Sequence, residues 1–282
     1  MRFAITGCDR YLNVFEEFLR AGWEPVKLFT CPATDLLSAN TRMTKMAERR
    51  GIPVQQARMH DDDLRDLRER GCDALVVASY DWRIGNWPAY LKHAINFHPS
   101  PLPVGRGPYP LVRAILEDRR SWAITCHKIA PQFDTGDILA ADTFALHPQE
   151  CHESLNLKLQ MASGRLARQV ATDFESLWNR AQPQSSGEYW PLFTPAERTV
   201  DFASPVDTIL RQLRAFGSLE CFAFANEEPI YVRRALGWTE AHGLAPNTVA
   251  HVDNHTMVIA AADGYIALLD WGLLPAPEQN SA

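Results

Sequence analysis

Between Phe3 and Phe97 the chain repeats one unit, a short apolar run followed by an amphipathic stretch, and few architectures accept that rhythm. Phe3 to Ile5 precedes Leu12 to Trp23, Val26 to Phe29 precedes Arg42 to Gly51, and Ala74 to Ala78 leads on to a further apolar run at Ala94 to Phe97. Within the first amphipathic stretch, Leu12, Phe15, Phe18 and Leu19 recur at helical spacing and would bury one face against the strands. The pattern predicts an α/β domain built on a Rossmann-like, mostly parallel sheet covered on both faces. Sheets of this kind take ligands beyond the carboxyl ends of their strands. Only Gly7 follows the first strand, so the glycine-rich dinucleotide fingerprint is absent and a nicotinamide cofactor is not expected.

The run Ala94-Ile-Asn-Phe-His-Pro-Ser-Pro-Leu-Pro-Val-Gly-Arg-Gly107 identifies the strand end that matters. Pro99, Pro101 and Pro103 cannot continue a central strand, so the chain leaves the sheet at about His98. Side chains two apart on a strand point the same way, which puts Asn96 and His98 on one face, roughly 6 to 7 Å apart along the backbone. Downstream, Phe133-Asp-Thr-Gly-Asp-Ile-Leu139 supplies carboxylates in a tight turn. An amide, an imidazole and a carboxylate gathered by Gly/Pro-rich loops read as an active site. Between them, Thr125 and His127 alternate along a strand predicted from Ala123 to Ile129; one of the two lines the cleft, or both are polar residues of a half-buried strand.

These motifs resemble the folate-dependent formyltransferases, the family of methionyl-tRNA formyltransferase, glycinamide ribonucleotide transformylase and the sugar N-formyltransferases. That family carries an Asn-x-His pair opening a His-x-Ser-Leu-Leu-Pro-x-x-x-Gly type loop, followed later by Asp-x-Gly. Here Asn96, His98 and Asp134 match, and Pro101 departs from the usual Leu. The resemblance implies attack of an amine on the formyl carbon of 10-formyltetrahydrofolate, a tetrahedral oxyanion, and loss of the tetrahydrofolate nitrogen. It makes the Asn96 carboxamide the oxyanion donor, His98 a second donor or the base, and Asp134 the group that orients His98 and relays a proton. Whether His98 rests neutral or protonated stays open at this point.

In the family the pterin sits partly against the loop before the site strand, here Ser79-Tyr-Asp-Trp-Arg-Ile84, and partly against the Asp-containing loop. Tyr80, Trp82 and Ile84 are therefore expected as apolar walls, with ordinary core packing as the competing reading. Asp137 joins them as a cofactor-site residue whose main task is holding the turn through its own backbone. Arg106, flanked by glycines, offers a guanidinium fork for acceptor or loop positioning. With Tyr109 and Trp87 it would serve a nucleotide-bearing acceptor.

Leu155, Leu159, Leu166, Val170, Phe174 and Leu177 predict one long helix from Glu153 to Arg180. Residues 1–185 are read as the catalytic domain and 186–198 as a linker. Residues 199–282 are read as a carboxyl-terminal β-barrel-like (OB-like) domain, with a helix at Pro205 to Phe216 and strands at Cys221 to Phe224, Pro229 to Leu236, Thr248 to Val252, Met257 to Ala261 and Tyr265 to Trp271. The second domain looks like that of the tRNA and sugar enzymes.

No apolar run approaches the ~20 residues of a membrane span. The opening Met-Arg-Phe-Ala-Ile-Thr-Gly reads as a strand, and the six cysteines are scattered without a Cys-x-x-Cys pair. A cytoplasmic enzyme without disulfides or metal is expected; His147, Cys151 and His152 lack a fourth ligand. Residues 199–282 carry four arginines, no lysine and ten acids, a net of −6, and Thr30 to Asn40 has no basic residue, where tRNA-acting relatives usually present a basic insertion. Nucleic acid is therefore not the expected partner. The expected acceptor is a small-molecule amine, either a nucleotide-linked amino sugar or an amino-acid-derived amine such as hydroxyornithine. Methionyl-tRNA formylation and hydrolysis of formyltetrahydrofolate are the alternatives; oligomeric state is left open.

Overall fold

The computed structural model describes residues 1–32 and 39–274. The Thr30 to Asn40 loop, on which part of the charge argument rests, has residues 33–38 outside that set. The chain forms two compact units that are not contiguous in sequence. The first contains Met1–Pro110, Ser121–Ala145 and Leu157–Trp190; the second contains Leu111–Arg120, Leu146–Asn156 and the chain from Pro191 onward.

The elements follow the predicted alternation. In the first part they are β1 (Arg2–Gly7), α1 (Leu12–Arg20), β2 (Glu24–Phe29), α2 (Thr41–Arg49), β3 (Val54–Gln55), α3 (Asp61–Glu69), β4 (Ala74–Ala78) and β5 (His93–His98). Then come α4 (Pro110–Leu116), β6 (Ser121–Lys128), β7 (Ile138–Ala145), α5 (His152–Thr172) and α6 (Phe174–Asn179). The seven strands make one sheet in the order β3-β2-β1-β4-β5-β6-β7. From β3 to β5 every pairing is parallel, because each return passes through a crossover; β6 and β7 then add antiparallel. The sheet is thus mostly parallel, and its antiparallel side is where the carboxylate turn between β6 and β7 comes back to the end of β5.

Aromatic side chains fill the core of this unit. Phe18 is fully buried and touches Phe3, Trp23 and Phe97, with ring centroids 5.6, 4.8 and 6.2 Å away. Trp23 packs edge-on against Phe174 at 5.1 Å, and its indole N–H donates to the Ala171 carbonyl at 3.1 Å. The long helix expected from Glu153 to Arg180 is two helices. Thr172 bonds its own turn through Oγ1 to the Arg168 carbonyl (2.8 Å), and Asp173 sits outside helical geometry at φ −109°, ψ 23°. A β-branched hydroxyl followed by a short acid offers the backbone local alternatives to continuing the helix.

The second unit contains α7 (Pro195–Arg198), α8 (Val206–Phe216) and five strands: β8 (Cys221–Ala225), β9 (Glu228–Thr239), β10 (Val249–Val252), β11 (Met257–Ala260) and β12 (Gly264–Leu273). They form an antiparallel sheet in the order β10-β11-β12-β9-β8. α8 buries Val206, Ile209, Leu213 and Phe216. Among the described residues, no helix is long and apolar enough to cross a membrane.

Phe18→Ala removes a ring with three aromatic neighbours and should cost about 3 to 5 kcal/mol, read as a fall in the urea midpoint of unfolding. A loss below about 1 kcal/mol would mean that the cluster does not carry this unit.

Candidate active site

The site is built from the end of β5 outward. Beyond His98 the proline-rich exit is pinned by polar side chains: Thr125 Oγ1 donates to the Ser100 carbonyl at 2.7 Å, Ser100 Oγ to the Val104 carbonyl at 2.7 Å, and the Trp122 indole to the Pro99 carbonyl at 2.8 Å. β6 runs back beside β5 in a register that sets Asn96 opposite His127 and His98 opposite Thr125. Directly paired residues share a face, so the register adds His127 to the Asn96–His98 face. Of the two candidates on β6, His127 meets Asn96 and Asp134, and Thr125 holds the exit loop.

Asp134 arrives on the turn between β6 and β7. Its backbone is left-handed, φ +58°, a conformation that Asp tolerates better than most residues. Two residues on, Gly136 lies so close to β6 that a Cβ would come within 1.9 Å of the Lys128 carbonyl oxygen. This contact draws the carboxylate over the strands. Asp134 Oδ1 stands 3.3 Å from His98 Nδ1, 3.4 Å from Asn96 Nδ2 and 3.6 Å from His127 Nε2, while Oδ2 accepts the Gly107 N–H at 2.9 Å. All four groups belong to the first compact unit.

The ring partners assign the protons. A carbonyl only accepts, so His98 Nε2, 2.8 Å from the Gly105 oxygen, carries a hydrogen and leaves Nδ1 facing Asp134. By the same argument His127 Nδ1 donates to the Lys128 carbonyl at 2.7 Å, and its Nε2 accepts from Asn96 Nδ2 at 3.2 Å. Burial of the imidazole holds His98 below its usual 6.5, against the opposing pull of the Asp134 charge and the Gly105 carbonyl. For Asp134, burial alone would raise the carboxyl. The neighbouring His127 and His98 rings and the Gly107 amide outweigh it, and the pKa falls to about 2. At neutral pH the pair is an ionised carboxylate beside a neutral ring whose free nitrogen faces it. That arrangement accepts a proton at Nδ1 and stabilises it there.

The other predicted residues are placed less uniformly. Tyr80 and Ile84 are partly buried against the core cluster that contains Val77 and Leu91. The Tyr80 hydroxyl accepts the Met59 N–H at 2.6 Å, and Trp82 meets the Tyr80 ring edge-on at 5.3 Å. Trp87 packs on the same cluster. Asp137 does not turn its carboxylate onto its own backbone as expected: it pairs with Lys128 Nζ at 3.2 Å, because the β6–β7 return sets the two residues side by side. Arg106 takes the loop-positioning role. Its guanidinium donates to Gln184 Oε1 at 2.8 and 3.2 Å, to the Ser185 carbonyl at 3.0 Å and to the Gly187 carbonyl at 3.5 Å. Tyr109 is 41 % exposed with φ +53°.

Gln184 went unmarked in the sequence, where it lies in a polar Pro-Gln-Ser-Ser-Gly stretch. Its amide nitrogen donates to the Asp134 carbonyl at 2.9 Å and the Gly136 carbonyl at 2.7 Å, while its oxygen takes Arg106. One side chain therefore ties the loop after β5 to the turn that carries Asp134. Composition carries no signal for this, since the role depends entirely on what the stretch packs against.

The formyl transferase family matches residues 30–170, and its C-terminal domain matches residues 193–272. Among curated relatives, methionyl-tRNA formyltransferase of Treponema denticola is 31% identical over 190 residues, 65% of this chain and 59% of that protein. The corresponding enzyme of Methylibium petroleiphilum is 27% identical over 289 residues, covering 95% of this chain and 91% of that one. The chain spans about three fifths of the length of the first curated relatives it matches. Among solved structures, an N-formyltransferase from Helicobacter canadensis in complex with folinic acid and dTDP-3-aminofucose superposes with a TM-score of 0.67 at 17% identity, covering 96% of this chain and 99% of that one. It shares the fold.

Both pKa shifts have the same sign. The fold favours the unprotonated form of His98 and of Asp134, so their stabilisation is complete above about pH 6.5. It is lost as pH falls, first through the lowered His98 value and then from 3.8 towards 2 for Asp134. The stability difference between wild type and Asp134→Asn, measured by urea unfolding, should shrink by roughly 2 kcal/mol between pH 5 and pH 2. In the variant, the His98 ring should titrate lower still by NMR, since the charge that raised it is gone; an unchanged midpoint would separate the two groups. Gln184→Leu leaves two loop carbonyls without a donor and should cost about 1 to 3 kcal/mol, with faster amide exchange at 134–137. Exchange equal to wild type would show that the turn holds itself.

Proposed function

Since this chain belongs to the formyl transferase family, we propose that it moves the formyl group of 10-formyltetrahydrofolate to the amine of a small metabolite, with Asn96, His98 and Asp134 as the reacting groups. The observation that carries the reading is the shared oxygen, Asp134 Oδ1, within 3.3 to 3.4 Å of both the His98 ring and the Asn96 amide. Amine attack on a formyl carbon needs a proton acceptor for the ammonium and a donor for the oxyanion. His98 Nδ1 is the acceptor: neutral at rest, fixed by its Nε2 bond, and backed by a carboxylate that stabilises the imidazolium. The proton returns from this pair to the departing nitrogen. Asn96 Nδ2 makes two long contacts at rest, 3.2 and 3.4 Å, so turning one N–H to the oxyanion gives up little. Residues 1–185 are read as the catalytic part, in keeping with all four clustered groups lying in one compact unit. Tyr80, Trp82 and Ile84 provide an apolar wall against which a pterin would lie.

A small acceptor is favoured by charge. The net of −6 over residues 199–282 opposes binding of a polyphosphate backbone. The Helicobacter canadensis enzyme, whose complex contains an amino sugar on a nucleotide, supports the same class of acceptor. Methionyl-tRNA is the second reading, on the strength of the names of the curated relatives.

Tetrahydrofolate release from 10-formyltetrahydrofolate should depend on a small amine when nucleotide-linked amino sugars, hydroxyornithine and methionyl-tRNA are compared with a no-acceptor control. Release with charged tRNA alone would overturn the charge argument, and release without any acceptor would make the protein a hydrolase.

A further inference from the structure

The loops that leave β1, β4 and β5 at the carboxyl end of the sheet each carry an arginine: Arg10, Arg83 and Arg106. Two are committed. Arg83 donates to the Pro131 carbonyl, and Arg106 to Gln184, Ser185 and Gly187. Arg10 differs: its Nε and Nη2 are both buried and have no hydrogen-bond partner among the described residues. The adjacent acid is spent elsewhere, since the Asp9 carboxylate accepts the Arg42 and Met43 N–H groups at 3.0 and 2.8 Å at the start of α2. The Tyr11 ring lies 5.5 Å from the guanidinium carbon and offers a face, with no acceptor for these N–H groups.

Nε and Nη2 form one edge of the guanidinium, the edge that grips two oxygens of an anion at once. Arg165 uses the same edge here on Asp142, at 2.8 and 2.9 Å. Buried donors without acceptors are rare in native folds, and a matched pair on one fork calls for an anion. Its position is also specific. Gly7 pairs with Ala78 and Val77 with Asn96, so the ends of β1 and β5 lie two strand spacings, roughly 10 Å, apart on the same sheet edge.

We infer that Arg10 is the anion-binding residue of the acceptor subsite and takes the phosphate of a nucleoside-diphosphate-linked amine. The amino group, separated from that phosphate by the width of a sugar ring, lies at Asn96 and His98. This rests on the small-amine reading above and narrows it to phosphate-bearing acceptors. It also moves the cation role from Arg106, whose donors are occupied, to a residue whose donors are not.

The test uses the intact protein, with thymidine diphosphate and uridine diphosphate as calorimetric probes and a nucleotide-linked amino sugar and its phosphate-free form as acceptors. Arg10→Ala should weaken nucleotide binding and raise KM for the linked amine roughly 10- to 100-fold, the range for a lost charge-assisted pair. Its kcat, and KM for the phosphate-free amine, should stay nearly unchanged. Arg10→Lys keeps the charge and loses the fork; it should fall between, and it decides the question if the alanine variant does not fold. Equal nucleotide affinity in wild type and both variants overturns the assignment while turnover of the linked amine keeps the small-amine reading. Turnover by wild type of phosphate-free amines alone, or of tRNA alone, overturns the assignment as well.

Discussion

A buried carboxylate cannot stay charged without donors, and much of the first unit is arranged to give Asp134 its donors. Oδ2 accepts from the Gly107 amide and Oδ1 from the Asn96 carboxamide, and the free ring nitrogens of His98 and His127 stand beside Oδ1, where a proton taken up by either ring would meet the carboxylate. Each of these contacts depends on a backbone decision made elsewhere. The prolines end β5 at His98, the antiparallel return of β6 sets His127 across from Asn96, and the missing side chain at Gly136 lets the turn close on Lys128. A change in any of them moves a charge that has nowhere else to go.

The same geometry divides the protonation states. Asp134 is held ionised by bonds to its charged form, and His98 is held neutral by burial. Two titratable groups whose surroundings push them apart in this way are suited to passing one proton back and forth. The Gly105 carbonyl makes the exchange directional, because it fixes which ring nitrogen is free.

Sequence reasoning reached the parts of this that depend on local rules. Proline punctuation located the strand end, period-two alternation put Asn96 and His98 together, and the spacing of Leu12, Phe15 and Phe18 marked the packed face of α1. The family motif brought in Asp134. What escaped depends on contacts between distant segments. Thr125 and His127 share a face of β6, and what separates them is their side-chain partners: His127 meets Asn96 and Asp134, whereas Thr125 bonds the Ser100 carbonyl of the exit loop. Local turn rules point Asp137 at its own turn, and its pairing with Lys128 follows only from the β6–β7 return. Gln184 and the competition between Arg10 and Arg106 are invisible to composition, since what matters there is which donors are already occupied. The break at Asp173 was legible in principle, but the regular leucine spacing overrode it.

Gly107 connects the carboxylate to a much later part of the chain. A Cβ there would sit 2.3 Å from the Trp190 carbonyl oxygen, and the Trp190 N–H donates to the Arg106 carbonyl at 2.7 Å. The amide that fixes Asp134 is thus itself braced by residue 190. On a ribosome the strands bearing Asn96, His98 and His127 emerge long before that brace does. The clustered side chains are therefore synthesised dozens of residues ahead of the segment that braces them, and this corner of the fold can close only late in synthesis.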